Sequence, residues 1–153
     1  MKLPVYLSLL DQSEQTLRDA YRQAAVAHGD EPDVHFLCIT MAAQCDGHRR
    51  KLAPVVARYG EAPPDDEPER LQHGGVGEPR TGPLGLLRDL QDLYLLASLT
   101  DVTWMMVKQA AEALRDDELL HVVEDCEHEV AVQLRWLQTR MKQAAPQVLI
   151  AAR

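Results

Sequence analysis

Glycine and proline crowd into one stretch of this chain, and that crowding divides it. Six of the eight glycines and five of the nine prolines fall between Gly60 and Gly85. The segment GEAPPDDEPERLQHGGVGEPRTGPLG keeps no period of 2 or 3.6, so it reads as a loop over about residues 60–83. Structureless loops of that length are uncommon inside compact domains. One physical reason for such a length is a connection that must run from one end of a helix bundle to the other. The flanks, about 1–59 and 84–147, both carry helical periodicity.

Each flank reads as a helical hairpin. In the first, Leu10, Leu17, Tyr21 and Ala24 recur at helical spacing before the break His28-Gly29-Asp30-Glu31-Pro32. Gly29 stops one helix; Asp30 is placed to cap the next, with Pro32 tolerated in its first turn. The stripe then resumes at Leu37, Met41, His48, Leu52 and Val55. In the second flank, Leu87, Leu90, Tyr94, Ala97, Trp104, Val107 and Ala111 share a face. Arg115-Asp116-Asp117-Glu118 interrupts it, with acids suited to a helix N-terminus. Leu119, Val123, Cys126, Val130, Leu134 and Leu137 form the last stripe. The spacing predicts helices over about 5–28, 33–59, 84–114 and 117–143 in one domain, residues 1–153. A faint internal likeness, Arg22-Gln23-Ala24-Ala25 against Lys108-Gln109-Ala110-Ala111, sets the two turns in register. The expected fold is all-α, a four-helix bundle of two hairpins joined by a long crossover.

Length and charge narrow the function classes. At 153 residues the chain can bury one core without staples. A net charge of −8 repels phosphate backbones, so nucleic acid is not an expected partner. No run of 18 apolar residues is present, so no membrane span is expected. The opening residues, broken by Pro4 and Ser8, are too short an apolar run for a secretory signal. Three cysteines cannot all pair within one chain and read as reduced thiols, which points to a cytoplasmic setting. No nucleophile elbow, dinucleotide fingerprint or Cys-x-x-Cys pair occurs.

Polar residues interrupt the apolar stripes at one height. Glu14 lies between Leu10 and Leu17, and Asp101 between Ala97 and Trp104, each at spacings of four and three. His48 sits four residues before Leu52, with Gln44 and Cys45 one turn earlier. Cys126 is on the last stripe and Glu129 one turn beyond it. Measured from the two turns at 1.5 Å per residue, all of these fall in one or two neighbouring layers near mid-bundle. Buried acids are costly unless paired, protonated or bound to a metal.

In this arrangement the chain resembles the ferritin-like superfamily of di-iron carboxylate proteins over about residues 5–142. In that family two helices each give a Glu and two give Glu-x-x-His. Glu14 is similar to the lone Glu of the first helix, and Asp101 would replace that of the third. Cys45-Asp46-Gly47-His48 is similar to Glu-x-x-His with Cys in place of Glu. Cys126-Glu127-His128-Glu129 is similar to the second motif, with Cys for Glu and Glu for His. The resemblance implies a mid-bundle metal site of Glu14, Cys45, His48, Asp101, Cys126 and Glu129. A single imidazole and two thiols suit one Zn²⁺, or an iron in a poorly filled site, better than an oxygen-activating iron pair.

Other readings stand beside this one. Glu14 and Asp101 can be core acids bonded to a Tyr, a Trp N–H or an Arg. His48 can be a satisfied buried imidazole, and the cysteines can pack as small hydrophobes. The chain would then be a metal-free ferritin-like scaffold acting as a protein-interaction module. Cys45 and Cys126 facing each other would instead make a thiol-redox pair. Trp104 and Trp136 are expected in the core or at an oligomer interface, and a two-fold homodimer is the expected assembly.

Overall fold

The computed structural model describes residues 1–61 and 75–151. These form four α-helices, α1 (Leu3–Ala27), α2 (Pro32–Tyr59), α3 (Gly82–Leu114) and α4 (Asp117–Pro146), with no strand among the described residues. A single π-helical turn, Gln147–Ala151, ends the described chain. The chain is an all-α four-helix bundle, as its periodicity predicts. No helix among the described residues is long and apolar enough to cross a membrane.

All four helices bury a seam that alternates steps of four and three. In α1 it runs through Leu3, Leu7, Leu10, Glu14, Leu17, Tyr21 and Ala24; in α2 through Val34, Cys38, Met41, Cys45, His48, Leu52 and Val55. In α3 the seam is Leu86, Leu90, Leu93, Ala97, Thr100, Trp104, Val107 and Ala111. In α4 it is Leu119, Val123, Cys126, Val130, Gln133 and Leu137. Such a repeat keeps one stripe facing its neighbours along the whole helix.

Cross-helix bonds give the directions. Asp11, Glu14 and Arg18 of α1 meet Arg49, His48 and Asp46 of α2, so these helices run oppositely. Gln44, His48 and Arg58 of α2 meet Gln133, Glu129 and Asp116 beside α4, again oppositely. Ser13, Glu14 and His28 meet Thr100, Trp104 and Asp89, which sets α3 against α1. It follows that α3 runs with α2. The end of α2 and the start of α3 therefore lie at opposite ends of the bundle. Most of the segment between them, residues 62–74 of the expected crossover, lies outside the described residues. Its last part runs along α1, where Gln23 donates to the Gly77 carbonyl at 2.9 Å.

Three local expectations need correction. Glu31, not Asp30, is the residue before α2, and it makes no side-chain cap; Pro32 opens the helix. The helix stands without a cap because proline already fixes φ and has no N–H to satisfy. At the other turn Asp116 does cap α4, accepting from Leu119 N at 3.1 Å. The last helix continues to Pro146, three residues past its expected end. Helices α1 and α3 likewise begin two residues before their expected starts, at Leu3 and Gly82, because Pro4 and Pro83 sit in first turns, where proline is tolerated.

Candidate functional site

At mid-bundle a hydrogen-bonded chain crosses the core. His48 Nδ1 lies 2.9 Å from Glu14 Oε1, and His48 Nε2 lies 3.1 Å from Glu129 Oε1. Trp104 Nε1 donates to the same Glu14 oxygen at 2.8 Å. The indole also stands edge-on to the imidazole, with centroids 6.2 Å apart and planes at 87°. Glu14, His48 and Trp104 are buried because each occupies a seam position. Glu129 is one residue off the seam position Val130, so its side chain keeps 36% exposure while its carboxylate reaches inward.

Both His48 ring nitrogens face carboxyl oxygens. An ionised carboxylate only accepts hydrogen bonds, so a pair of them favours a ring that donates from both nitrogens, the imidazolium. Burial alone opposes that charge. The hydrogen bonds and negative charges of Glu14 and Glu129 outweigh it and hold the ring's pKa above its ordinary 6.5. Two carboxyl groups face one imidazole. Glu14 Oε1 takes both N–H groups, while Oε2 is buried and accepts no hydrogen bond.

Both predicted cysteines flank this centre as free, buried thiols. Burial first, and then the negative charge of Glu14, pushes the Cys45 thiol well up and the Cys126 thiol up to about 12. Neither is a thiolate at neutral pH, and the thiolate is the nucleophile and the metal ligand. Cys38, shifted to about 12 by burial and by Asp33, is equally inert.

Asp101 stands apart from the chain. It is half-buried, and no hydrogen bond joins it to Glu14, His48 or Glu129 among the described residues. Burial and the charge of Glu127 raise its carboxyl pKa. The seam explains why: after Ala97 it steps three to Thr100 and then four to Trp104, which leaves Asp101 at the edge. Thr100 holds the inward position in its place. Its hydroxyl donates to Leu96 O at 3.0 Å and therefore accepts from Ser13 Oγ at 2.6 Å.

A second polar layer lies one to two turns away. Tyr21 donates to Gln133 Oε1, and Gln133 Nε2 donates to Gln44 Oε1, both at 2.9 Å. A third lies at the end of the bundle. There buried His28 Nε2 meets Asp89 Oδ2 at 2.7 Å, and Arg80 donates to Asp89 at 2.8 Å and to Asp92 at 2.7 Å. In the sequence His28 marks only a turn. The pairing joins residues 61 apart through an arginine in the loop, which no local pattern reveals.

The donor set at mid-bundle has the chemistry of a metal site, with carboxylates, an imidazole and thiols. Its placement differs from one. Both imidazole nitrogens are engaged, and the two carboxylates lie on opposite sides of the ring. Among the described residues no group of three or more His, Cys, Asp or Glu side chains is arranged to hold a metal ion. As placed, His48 links Glu14 and Glu129 in one hydrogen-bonded chain. The chain matches no protein-family model, no curated protein and no solved structure.

Proposed function

We propose that this chain is a ferritin-like four-helix bundle without a metal centre, in which the His48 imidazolium holds the central position, and that it works through protein contacts on its outer helix faces. Support for the scaffold comes from the helix directions, which need a connection from α2 to α3 running the length of the bundle, the connectivity of ferritin-like folds. The observation that carries the metal-free reading is the engagement of both His48 nitrogens by carboxylates. Outer apolar residues on α2 and α3 supply contact surface, among them Phe36, Ile39, Leu95 and Val102.

A second reading is a zinc or iron site built from Glu14, His48 and Glu129 with Cys45 or Cys126. One observation favours it: the buried Glu14 Oε2 has no partner, and the centre holds more carboxylate than cation. Metal analysis separates the two. Protein purified without a His tag is incubated with Zn²⁺ or Fe²⁺, dialysed, and measured for bound metal. The metal-free reading expects less than about a tenth of an equivalent. Near one equivalent, lost in Glu14→Gln, establishes the second reading instead.

A further inference from the structure

The outer face of α3 is unlike a solvent-facing helix surface. The α3 seam faces the bundle through Leu90, Ala97, Trp104 and Ala111. At 100° per residue, positions 95 and 102 point almost directly away from it. Surface positions of that kind are normally polar. Here Leu95 is 57% exposed, Val102 45%, Met105 53% and Met106 39%. A helix apolar on both faces is normally covered on both.

The ends of this patch carry opposite charge. Taking Thr100 as the midpoint, Arg88 lies twelve residues before it and Glu112 twelve after. Both are exposed, Arg88 on the outer face and Glu112 at its edge, where its charge also acts on Lys108. Gln91 and Gln109 sit nine residues either side, and Leu95 and Met105 five either side. The face reads charged, polar, apolar, polar, charged, with opposite charge at its two ends, about 36 Å apart.

We propose that this face is the contact between two copies of the chain, with the α3 helices antiparallel about a two-fold axis near Thr100. In that register each Arg88 stands opposite the partner's Glu112, twice per dimer, and the apolar centres meet. A parallel pairing would stack Arg88 on Arg88. The symmetric contact also answers a general repulsion: each copy carries −8, so copies associate only where a face is apolar and neutralises itself. One helix face is smaller than the roughly 800 Å² per partner of a stable complex, so affinity of about micromolar order is expected. The proposal does not depend on the central layer.

Sedimentation velocity of the full chain between about 1 and about 100 µM tests it, spanning the expected dissociation constant. The wild type should shift from monomer to dimer. Val102→Glu should remain monomeric throughout with unchanged helical circular dichroism, since the side chain faces solvent. Arg88→Glu and Glu112→Arg should each weaken association about tenfold, because each leaves two like-charged pairs. The double reversal should restore it to within about threefold. A wild type that stays monomeric, a Val102→Glu variant that still dimerises through another face such as Phe36 and Ile39, or a double reversal that restores nothing would each overturn the proposal.

Discussion

Two buried histidines sit against carboxylates in this bundle, and they are built differently. His48 lies at mid-bundle between Glu14 and Glu129, and among the described residues no arginine or lysine is bonded to either acid. His28 lies at the bundle end against Asp89, whose other oxygen takes Arg80. The end cluster is complete: Glu14 Oε2 is the only buried side-chain polar atom without a partner among the described residues, and it is in the middle. The same residue types therefore do two jobs. At the end they fasten the loop before α3 to the close of α1. Gly85 permits this, because a Cβ there would lie 3.0 Å from Arg80 Cβ and 3.2 Å from its carbonyl carbon. In the middle they concentrate negative charge around one cation, the imidazolium.

The largest expected effect follows from that imbalance. His48→Ala removes the imidazole bonded to Glu14 and leaves a fully buried carboxyl group on the Trp104 N–H, with no cation bonded to it among the described residues. Breaking a buried ion pair from one side costs about 3–5 kcal/mol, a large share of the roughly 5–15 kcal/mol of a typical domain. Urea unfolding at neutral pH should show a correspondingly lower midpoint. A loss below about 1 kcal/mol would mean that Glu14 is protonated in the fold and that His48 carries no charge.

His28→Ala should cost less, about 1–3 kcal/mol, because Asp89 keeps Arg80 as a partner and loses one hydrogen bond. The two substitutions lie at different heights in the bundle and share no partner, so their effects should add in the double variant. Equal losses at the two sites would erase the distinction between a neutralised cluster and an over-acidic one.

The sequence displays the middle cluster far better than the end one, for a physical reason. Glu14 and His48 break apolar seams, and a polar residue inside a periodic stripe is visible without coordinates. The cysteines were legible in the same way. Asp101 shows the limit of that signal. Spacings of four and three fit both position 100 and position 101, and only the continuous seam from Leu93 to Val107 selects Thr100. Trp104 was legible as core, but its N–H bond to Glu14 depends on how α1 and α3 are docked. His28 follows α1, Arg80 precedes α3 and Asp89 lies one residue off the seam position Leu90, so periodicity carries no information about them. The outer face of α3 was missed because apolar residues on both sides of a helix blur the stripe that marks the inside.

The smallest expected effect is a pH slope, and it belongs to the middle cluster. His48 gains two carboxylate partners on folding, and its pKa in the fold stands above the ordinary 6.5. A group whose pKa is raised by folding binds its proton more tightly in the folded state. Its stabilisation is complete below the ordinary value and is lost as pH climbs through the raised one. Between about pH 6 and about pH 8, below the range in which unfolded thiols ionise, the wild type should lose stability. His48→Gln removes the titrating ring, so its unfolding midpoint should change less over the same interval. If the variant keeps the wild-type slope, the proton responsible is on another group. The Glu14–His48–Glu129 chain would then be a neutral hydrogen-bonded row, and the contrast with the arginine-completed cluster at the bundle end would lose its electrostatic basis.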